Sequence, residues 1–241
     1  MMRWIILLFV FFSSISLATE QQKTLQILPL ADNVYQHISY KTVAPWGHVA
    51  ASGLILIEGN DAHIIDTPWS LADTETLLVW LAERNLTVKS SVITHFHEDA
   101  SAGIALLNRQ QIKTYATPLT NSLLKKAKRT VSSDEITTNP FQLVPDQLEI
   151  FYPGAGHSPD NIVVWLPKSK ILFGGCFVKS LESKNLGNIE DASVNSWPQA
   201  LAQVSQQYQD INIVVPGHGK VGDVSLLKHT AQLALSAQSP E

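Results

Sequence analysis

Thr94-His95-Phe96-His97-Glu98-Asp99-Ala100 is the stretch of this 241-residue chain from which the rest can be read. Two imidazoles two positions apart, a carboxylate two further on and Gly103 beyond them form a candidate metal clamp. In an extended or turning segment, residues i and i+2 point the same way. The side chains of His95, His97 and Asp99 are therefore expected to converge on one small volume. The clamp follows the apolar run Ser91-Val92-Ile93 and precedes a helical pattern, which puts it at a strand end. Strand-end loops are where chemical groups are mounted on rigid scaffolds.

Three further segments repeat that form, a strand-like run followed by a glycine-rich turn with a potential ligand. They are Phe151-Tyr152-Pro153-Gly154-Ala155-Gly156-His157, Ile171-Leu172-Phe173-Gly174-Gly175-Cys176 and Val214-Val215-Pro216-Gly217-His218-Gly219. With the opening clamp they yield six candidate ligands: His95, His97, Asp99, His157, Cys176 and His218. A set of nitrogen, oxygen and sulfur donors fits two four-coordinate zinc ions, each keeping one open position. Three imidazoles suit one ion. A carboxylate, a thiolate and an imidazole suit the other, and thiolate favours zinc over magnesium or calcium. The other histidines, His37, His48, His63 and His229, lack such contexts and read as surface or satisfied core residues.

The start of the chain sets its compartment. Met1-Met2-Arg3 is a short basic start, residues 4–12 are an unbroken apolar run, and residues 13–18 are small and end in Ser16-Leu17-Ala18. This is the pattern of a secretory signal peptide over 1–18. The run is short for a membrane span, and no cysteine near Ala18 offers a lipid attachment. Residues 19–241 are expected as one exported, periplasmic domain, monomeric and free of the membrane. Cys176 is the only cysteine; an exported chain with one thiol cannot form an internal disulfide, so the thiol calls for burial or a metal. The formal charge of −4 and the lack of a recurring basic face argue against nucleic acid. The one basic cluster, Lys125-Lys126-Ala127-Lys128-Arg129, reads as a solvated helix end.

Pattern places strands at 36–40, 48–58, 62–66, 88–94, 112–116, 141–144, 148–152, 162–166, 170–174 and 211–215, after an opening strand pair over 24–39. Helices are expected from Ser70 or Asp73 to about 84, over 100–109, from Thr117 to about 128, from 195 or 196 to 208, and over 225–236. The first of these should bury Leu77, Leu78, Trp80 and Leu81. Pro29 makes its strand an edge strand, and Ala44-Pro45-Trp46-Gly47 puts an indole at a hairpin tip. Each half combines strands with about two helices. That suits two packed sheets with helices outside, an α/β arrangement without a linker.

The motifs H-x-H-x-D at 95–99, G-x-G-H-S-P-D-N at 154–161, G-G-C-F-x-K at 174–179, L-G-N at 186–188 and P-G-H-G at 216–219 resemble those of the metallo-β-lactamases, most closely the broad-spectrum subclass with two zincs. The resemblance covers nearly all of 19–241, including Asp66-Thr67-Pro68-Trp69. It implies a four-layer αβ/βα sandwich with the metal site at the edge of two packed sheets. Thioester hydrolases of the glyoxalase II type and the third class B subclass have a histidine directly after the aspartate, where this chain has Ala100. One-zinc carbapenemases have asparagine in place of His95, and the thioesterase-type relatives have a bridging aspartate in place of Cys176. Ala100, and Glu190 where glycine is usual before Asp191, depart from the subclass.

The resemblance further implies hydrolysis of the β-lactam amide of penicillins, cephalosporins and carbapenems, and hence antibiotic resistance, by a zinc-bound hydroxide without an acyl-enzyme. His95, His97 and His157 would hold the first of two Zn2+ ions; Asp99, Cys176 and His218 would hold the second, with Asp99 also orienting the nucleophile. Lys179 would grip the substrate carboxylate, Asn188 would lie near the lactam oxygen, Trp46 would form an apolar flap, and Asp66 would orient the site from behind. Ser-x-x-Lys occurs at Ser122–Lys125 and Ser225–Lys228, but without the partner motifs of serine β-lactamases, and in helical patterns. Two other readings use the same ligands: a zinc-storage protein, and a hydrolase of another ester or lactone. Storage requires neither Lys179, Asn188 nor the Trp46 loop.

Overall fold

Apolar strands in this chain are buried on both faces, and consecutive residues enter different cores because strand side chains alternate. Leu54, Leu56 and Ile65 pack in one core while their neighbours Ile55 and Ile64 pack in another. In the second half Val164, Phe173 and Val215 join the first of these cores, whereas Val163, Leu172 and Val214 face the opposite way. The central core thus lies between two sheets, and the outer cores lie between each sheet and its helices. A computed structural model of the protein describes residues 24–238, so the expected signal segment 1–18 lies outside the described residues.

The first half contains β1 (Gln26–Ala31), β2 (Val34–Val43), β3 (Gly47–Glu58), β4 (Asp61–Ile65), α1 (Leu71–Ala82), β5 (Thr87–Val92), α2 (Glu98–Ser101), α3 (Ile104–Arg109), β6 (Lys113–Ala116), α4 (Pro118–Lys126) and β7 (Asp134–Glu135). The second contains β8 (Phe141–Val144), β9 (Leu148–Phe151), β10 (Val163–Leu166), β11 (Ile171–Gly175), α5 (Trp197–Gln207), β12 (Ile213–Pro216) and α6 (Ser225–Gln238). The strands form a seven-stranded sheet in the order β1 to β7 and a five-stranded sheet in the order β12-β11-β10-β9-β8. β1 to β4 pair antiparallel and β4 to β7 parallel. With α1 and α3–α4 over one sheet and α5–α6 over the other, the result is the four-layer αβ/βα sandwich.

Three differences from the pattern reading have physical causes. The helix expected over 100–109 is two short helices, broken at Gly103. The Gly103 N–H donates to Thr67 Oγ1 at 2.8 Å, and a Cβ there would stand 2.6 Å from Thr74 Oγ1 and 2.8 Å from Thr67 Cβ, so the chain is drawn against Thr67 and α1 at a point where only glycine fits. Trp80, like Leu78, is only half-buried and packs against the edge of the core beneath α1: it meets Tyr35 edge-on and carries the Arg84 guanidinium 3.9 Å from its ring centre. Thr74 fills the buried face beside Leu77 and Leu81 instead. β7 has only two residues and no periodicity to read.

Backbone bonds stitch the sheets together at one edge. Ile162 N–H donates to Thr94 O at 2.9 Å, and Ser52 N–H donates to Gly217 O at 2.8 Å. Thr94 precedes the opening clamp and Gly217 precedes His218, so the seam between sheets is where the candidate ligands meet.

Candidate metal centre

The clamp is not one extended segment. His95 and His97 lie in a bend after β5, and Asp99 is in the first turn of α2. The three side chains converge, but the bend and helix onset send them different ways. One-atom-per-residue donor sets within 4.8 Å of one another are His95-His97-His157 and His95-Asp99-Cys176. His218 closes the second, with Nε2 at 3.3 Å from Cys176 Sγ and 3.0 Å from Asp99 Oδ2. All six ligands expected from the sequence lie at the seam.

Each of three imidazoles is aimed by its outer nitrogen, an arrangement usual for metal-binding histidines. His218 Nδ1 donates to Ala50 O at 2.6 Å, which turns Nε2 inward. His95 Nδ1 lies 3.2 Å from Thr94 Oγ1, whose own proton goes to Asp66 Oδ2 at 2.7 Å. The threonine oxygen is then left to accept from His95, and Nε2 faces the centre. Asp66 also accepts Thr94 N–H at 2.7 Å, so it acts from behind the ligands as expected. His97 Nε2 donates to Asp191 Oδ2 at 2.9 Å, leaving Nδ1 facing His157 Nε2 at 3.0 Å. Asp191 is a site residue to which the motifs gave no role; its place after Leu186-Gly187-Asn188, in the pair Glu190-Asp191 where the family usually has glycine-aspartate, was the available signal.

The donor set fits a cation. His95 Nε2 and Asp99 Oδ1 are buried without a hydrogen-bond partner, and such atoms are costly to leave unmatched. Burial opposes charge on His95, but Cys176 and Asp99 beside it prevail and hold its pKa well above the imidazole range. Burial also works against the Asp99 carboxylate, yet His218 and His95 hold it well below its usual range. The centre therefore favours positive charge between these groups. Burial, with Lys179 nearby, keeps His157 well below its usual value, neutral as a ligand must be. Burial and Asp99 push the Cys176 thiol up to about 11; a bound cation inverts that preference and favours thiolate.

The centre forms the floor of a groove of about 680 Å³, a size suited to a small molecule. Lys179, Lys184, Asn188, Trp46, Val43 and Trp69 line its walls. Lys179 Nζ lies 5.5 Å from the centre of the Trp197 ring, which holds the ammonium beside His157. Trp46, at the tip of the β2–β3 hairpin, is 54 % exposed. Asn188 is exposed, and its Oδ1 accepts Glu190 N–H at 3.0 Å, leaving the amide N–H2 free to turn to the groove. Lys179, Asn188 and Trp46 thus share one cavity with His97, Asp99, His157 and His218, while His95 and Cys176 lie buried beneath it. The remaining histidines stand apart from it: His37 donates to Asp66 O, His63 bonds Ser90, His229 donates to Ser183 O, and His48 stacks on Tyr40.

Residues 47–218 match the sequence profile of the "Metallo-beta-lactamase superfamily". A curated "Metallo-beta-lactamase type 2" of Pseudomonas aeruginosa is 43 % identical over 93 % of this chain and 90 % of its own length. A protein of the same name from Bacteroides fragilis is 36 % identical over 87 % of this chain and 85 % of its own. Among solved structures, VMB-1 at pH 5.5 is 59 % identical with a TM-score of 0.89, covering 90 % of this chain and 99 % of that one. DIM-1 metallo-β-lactamase exposed to ceftazidime is 46 % identical with a TM-score of 0.89, covering 91 % and 100 %. By fold, by the donor sets at the seam and by this likeness along nearly its whole length, the chain belongs to the metallo-β-lactamase superfamily.

Proposed function

We propose that the protein hydrolyses the β-lactam amide of penicillins, cephalosporins and carbapenems, with two zinc ions per chain. The observation that carries this reading is the pair of donor sets on the floor of one groove, beneath a lysine and an apolar hairpin. His95, His97 and His157 hold one ion; Asp99, Cys176 and His218 hold the other. When bound, zinc supplies Lewis acidity toward carbonyl oxygen and lowers the pKa of coordinated water to near neutrality.

The chain's own groups supply the rest. Lys179 binds the carboxylate of the substrate and fixes where the four-membered ring lies. The Asn188 amide donates toward the lactam oxygen, where negative charge develops during attack. Asp99 accepts a hydrogen bond from the attacking water and orients its lone pair toward the carbonyl carbon. Water adds across the C–N bond, the hydroxyl going to carbon and the proton to the departing nitrogen, so no side chain need be acylated. Ser122 and Ser225 lie in α4 and α6, on the outer layers. Trp46 covers the apolar part of the drug, and Asp66 and Asp191 hold ligands in register from outside.

Residues 1–18 act in this reading as a cleaved signal, and the mature monomer, 19–241, works in the periplasm, where its action confers resistance. Among the described residues, no helix is long and apolar enough to cross a membrane. The test is the purified mature protein with imipenem and a chromogenic cephalosporin, with zinc, with EDTA, and with zinc restored. Turnover that EDTA abolishes and zinc restores is expected; turnover that persists in EDTA overturns the reading. Lys179→Ala should raise KM chiefly, by about tenfold or more, because a charge-assisted anchor is lost. FIM-1, 32 % identical, was solved in a "mono-zinc form", so zinc per chain should be counted by metal analysis alongside activity. Full turnover at one zinc per chain would remove the two-ion assignment.

A further inference from the structure

We propose that Lys41, Glu98 and Arg129 form a clamp that ties the outer part of the Trp46 hairpin to the metal-binding turn and so sets how the hairpin stands over the groove. The pairing register motivates the idea. β1 accompanies β2 only to Ile38, and β4 accompanies β3 only from Leu54. Between those points, Ser39 to Val43 and Gly47 to Ala51 pair only with each other. A two-stranded arm without further sheet support is marginal in water, so its position depends on ties to the body.

Three ties hold its base: Trp69 N–H to Ser39 Oγ at 2.9 Å, His218 Nδ1–H to Ala50 O at 2.6 Å and Ser52 N–H to Gly217 O at 2.8 Å. Among the described residues, the outermost polar tie is the ion pair between Lys41 Nζ and Glu98 Oε2. Lys41 sits opposite Val49, two rungs from the closing pair Val43–Gly47.

Glu98 is well placed to anchor the arm because it lies between His97 and Asp99 and opens α2. Its carboxylate is also 3.8 Å from Arg129 Nη2. Arg129 is turned back to this point by Lys128, whose φ is +57°, and by its own N–H donating to Leu124 O at 2.9 Å. Its Nη1 donates to Phe96 O at 3.2 Å and to Ser101 Oγ at 3.4 Å. Ser101 Oγ in turn donates to His97 O at 2.7 Å. One guanidinium therefore grips both ends of the ligand-bearing turn while it neutralises Glu98. The basic cluster that reads as a solvated helix end carries at its last position a strut for the site.

Lys41 and Glu98 line the same groove as Trp46. The clamp thus has two effects: it limits the travel of the arm, and it cancels a carboxylate beside a site that receives an anionic substrate. Its effect on turnover rests on the reading of Trp46 as a flap. The two are separable: Trp46→Ala with unchanged KM removes the flap reading, whereas the clamp is read first by backbone exchange in the arm.

The test uses zinc-loaded full-length mature protein with Lys41→Met, Glu98→Gln and the double variant. Amide hydrogen exchange over residues 40–49 is measured together with KM and kcat for imipenem. Either single variant should speed exchange in the arm and raise KM about two- to fivefold, the scale of a partly exposed ion pair, with kcat retained. The double variant should be no worse than Glu98→Gln alone, which has already broken the Lys41 pair as well as the Arg129 pair. Unchanged exchange in both singles would overturn the clamp, as would a double variant whose effects are the product of the singles.

Discussion

Asp191 shows how much of the site depends on one atom outside the ligand set. Its Oδ2 accepts a hydrogen bond from His97 Nε2–H and thereby decides which nitrogen of His97 faces the centre. Asp191→Asn keeps the shape but weakens that acceptor, so zinc affinity of the three-histidine set should fall about 10- to 100-fold, read by chelator competition; unchanged affinity would exclude the role. His37 makes a different residue-scale argument. Its Nε2–H donates to Asp66 O at 3.0 Å, and burial pushes its pKa down to about 4. The unfolded chain, with histidine near 6.5, takes up a proton that the folded protein refuses between those values. The contribution of neutral His37 is therefore complete above pH 6.5 and declines as pH falls to about 4, by about 3 kcal/mol. Asp66, pushed up to about 7 by burial, runs the opposite way and masks this in the wild type. The difference between wild type and His37→Gln isolates it: the wild-type advantage in urea unfolding of metal-free protein should shrink by that amount from pH 7 to 4. A difference independent of pH would refute the assignment.

Among the elements, the strand-end turns determine the site more than the strands do. β11 and β12 run parallel, and the turn after each supplies one ligand, Cys176 and His218. Gly217 lets these turns approach. A Cβ at that position would lie 2.6 Å from both the backbone nitrogen and the sulfur of Cys176, closer than packed atoms tolerate. Gly217→Ala should displace Cys176 and lower zinc content toward one per chain while far-ultraviolet circular dichroism stays native-like. Retention of both zincs would show that the turn can yield. Helix ends were easier to anticipate: Thr117 accepts Thr120 N–H at 3.0 Å with Pro118 first in α4, and Ser70 accepts Asp73 N–H at 3.0 Å. Capping depends on neighbours in sequence, so Thr117→Ala should cost about 1 kcal/mol in stability with zinc content unchanged. The break at Gly103 was hidden because it answers to Thr67 and Thr74, far away in the chain.

Across the whole molecule, the centre sits where two separately built halves close on each other. Four ligand-bearing turns converge on a seam that backbone bonds from Thr94 and Gly217 already draw together. A cation there binds the folded chain and not the unfolded one, so it should stabilise closure. At free zinc about 100-fold above its dissociation constant the gain is about 3 kcal/mol, or about 10 °C in Tm. Calorimetry with zinc and with EDTA checks this. An equal Tm in both would mean that the seam is held without metal.

Sequence alone determined the six candidate ligands, their strand-end settings, the helix caps and the two-sheet class, because each follows from local pattern: donor type, spacing of two or 3.6, a glycine after an apolar run. The family likeness then carried the fold and activity. Only the tertiary structure decided that His95 stands within reach of both donor sets, and which imidazole nitrogen faces inward. It also decided that Asp191 and Arg129 reach the site. Asp191 and Arg129 reach it through contacts between residues 94 and 33 positions apart. No local period encodes such contacts; they exist only once the two sheets have packed.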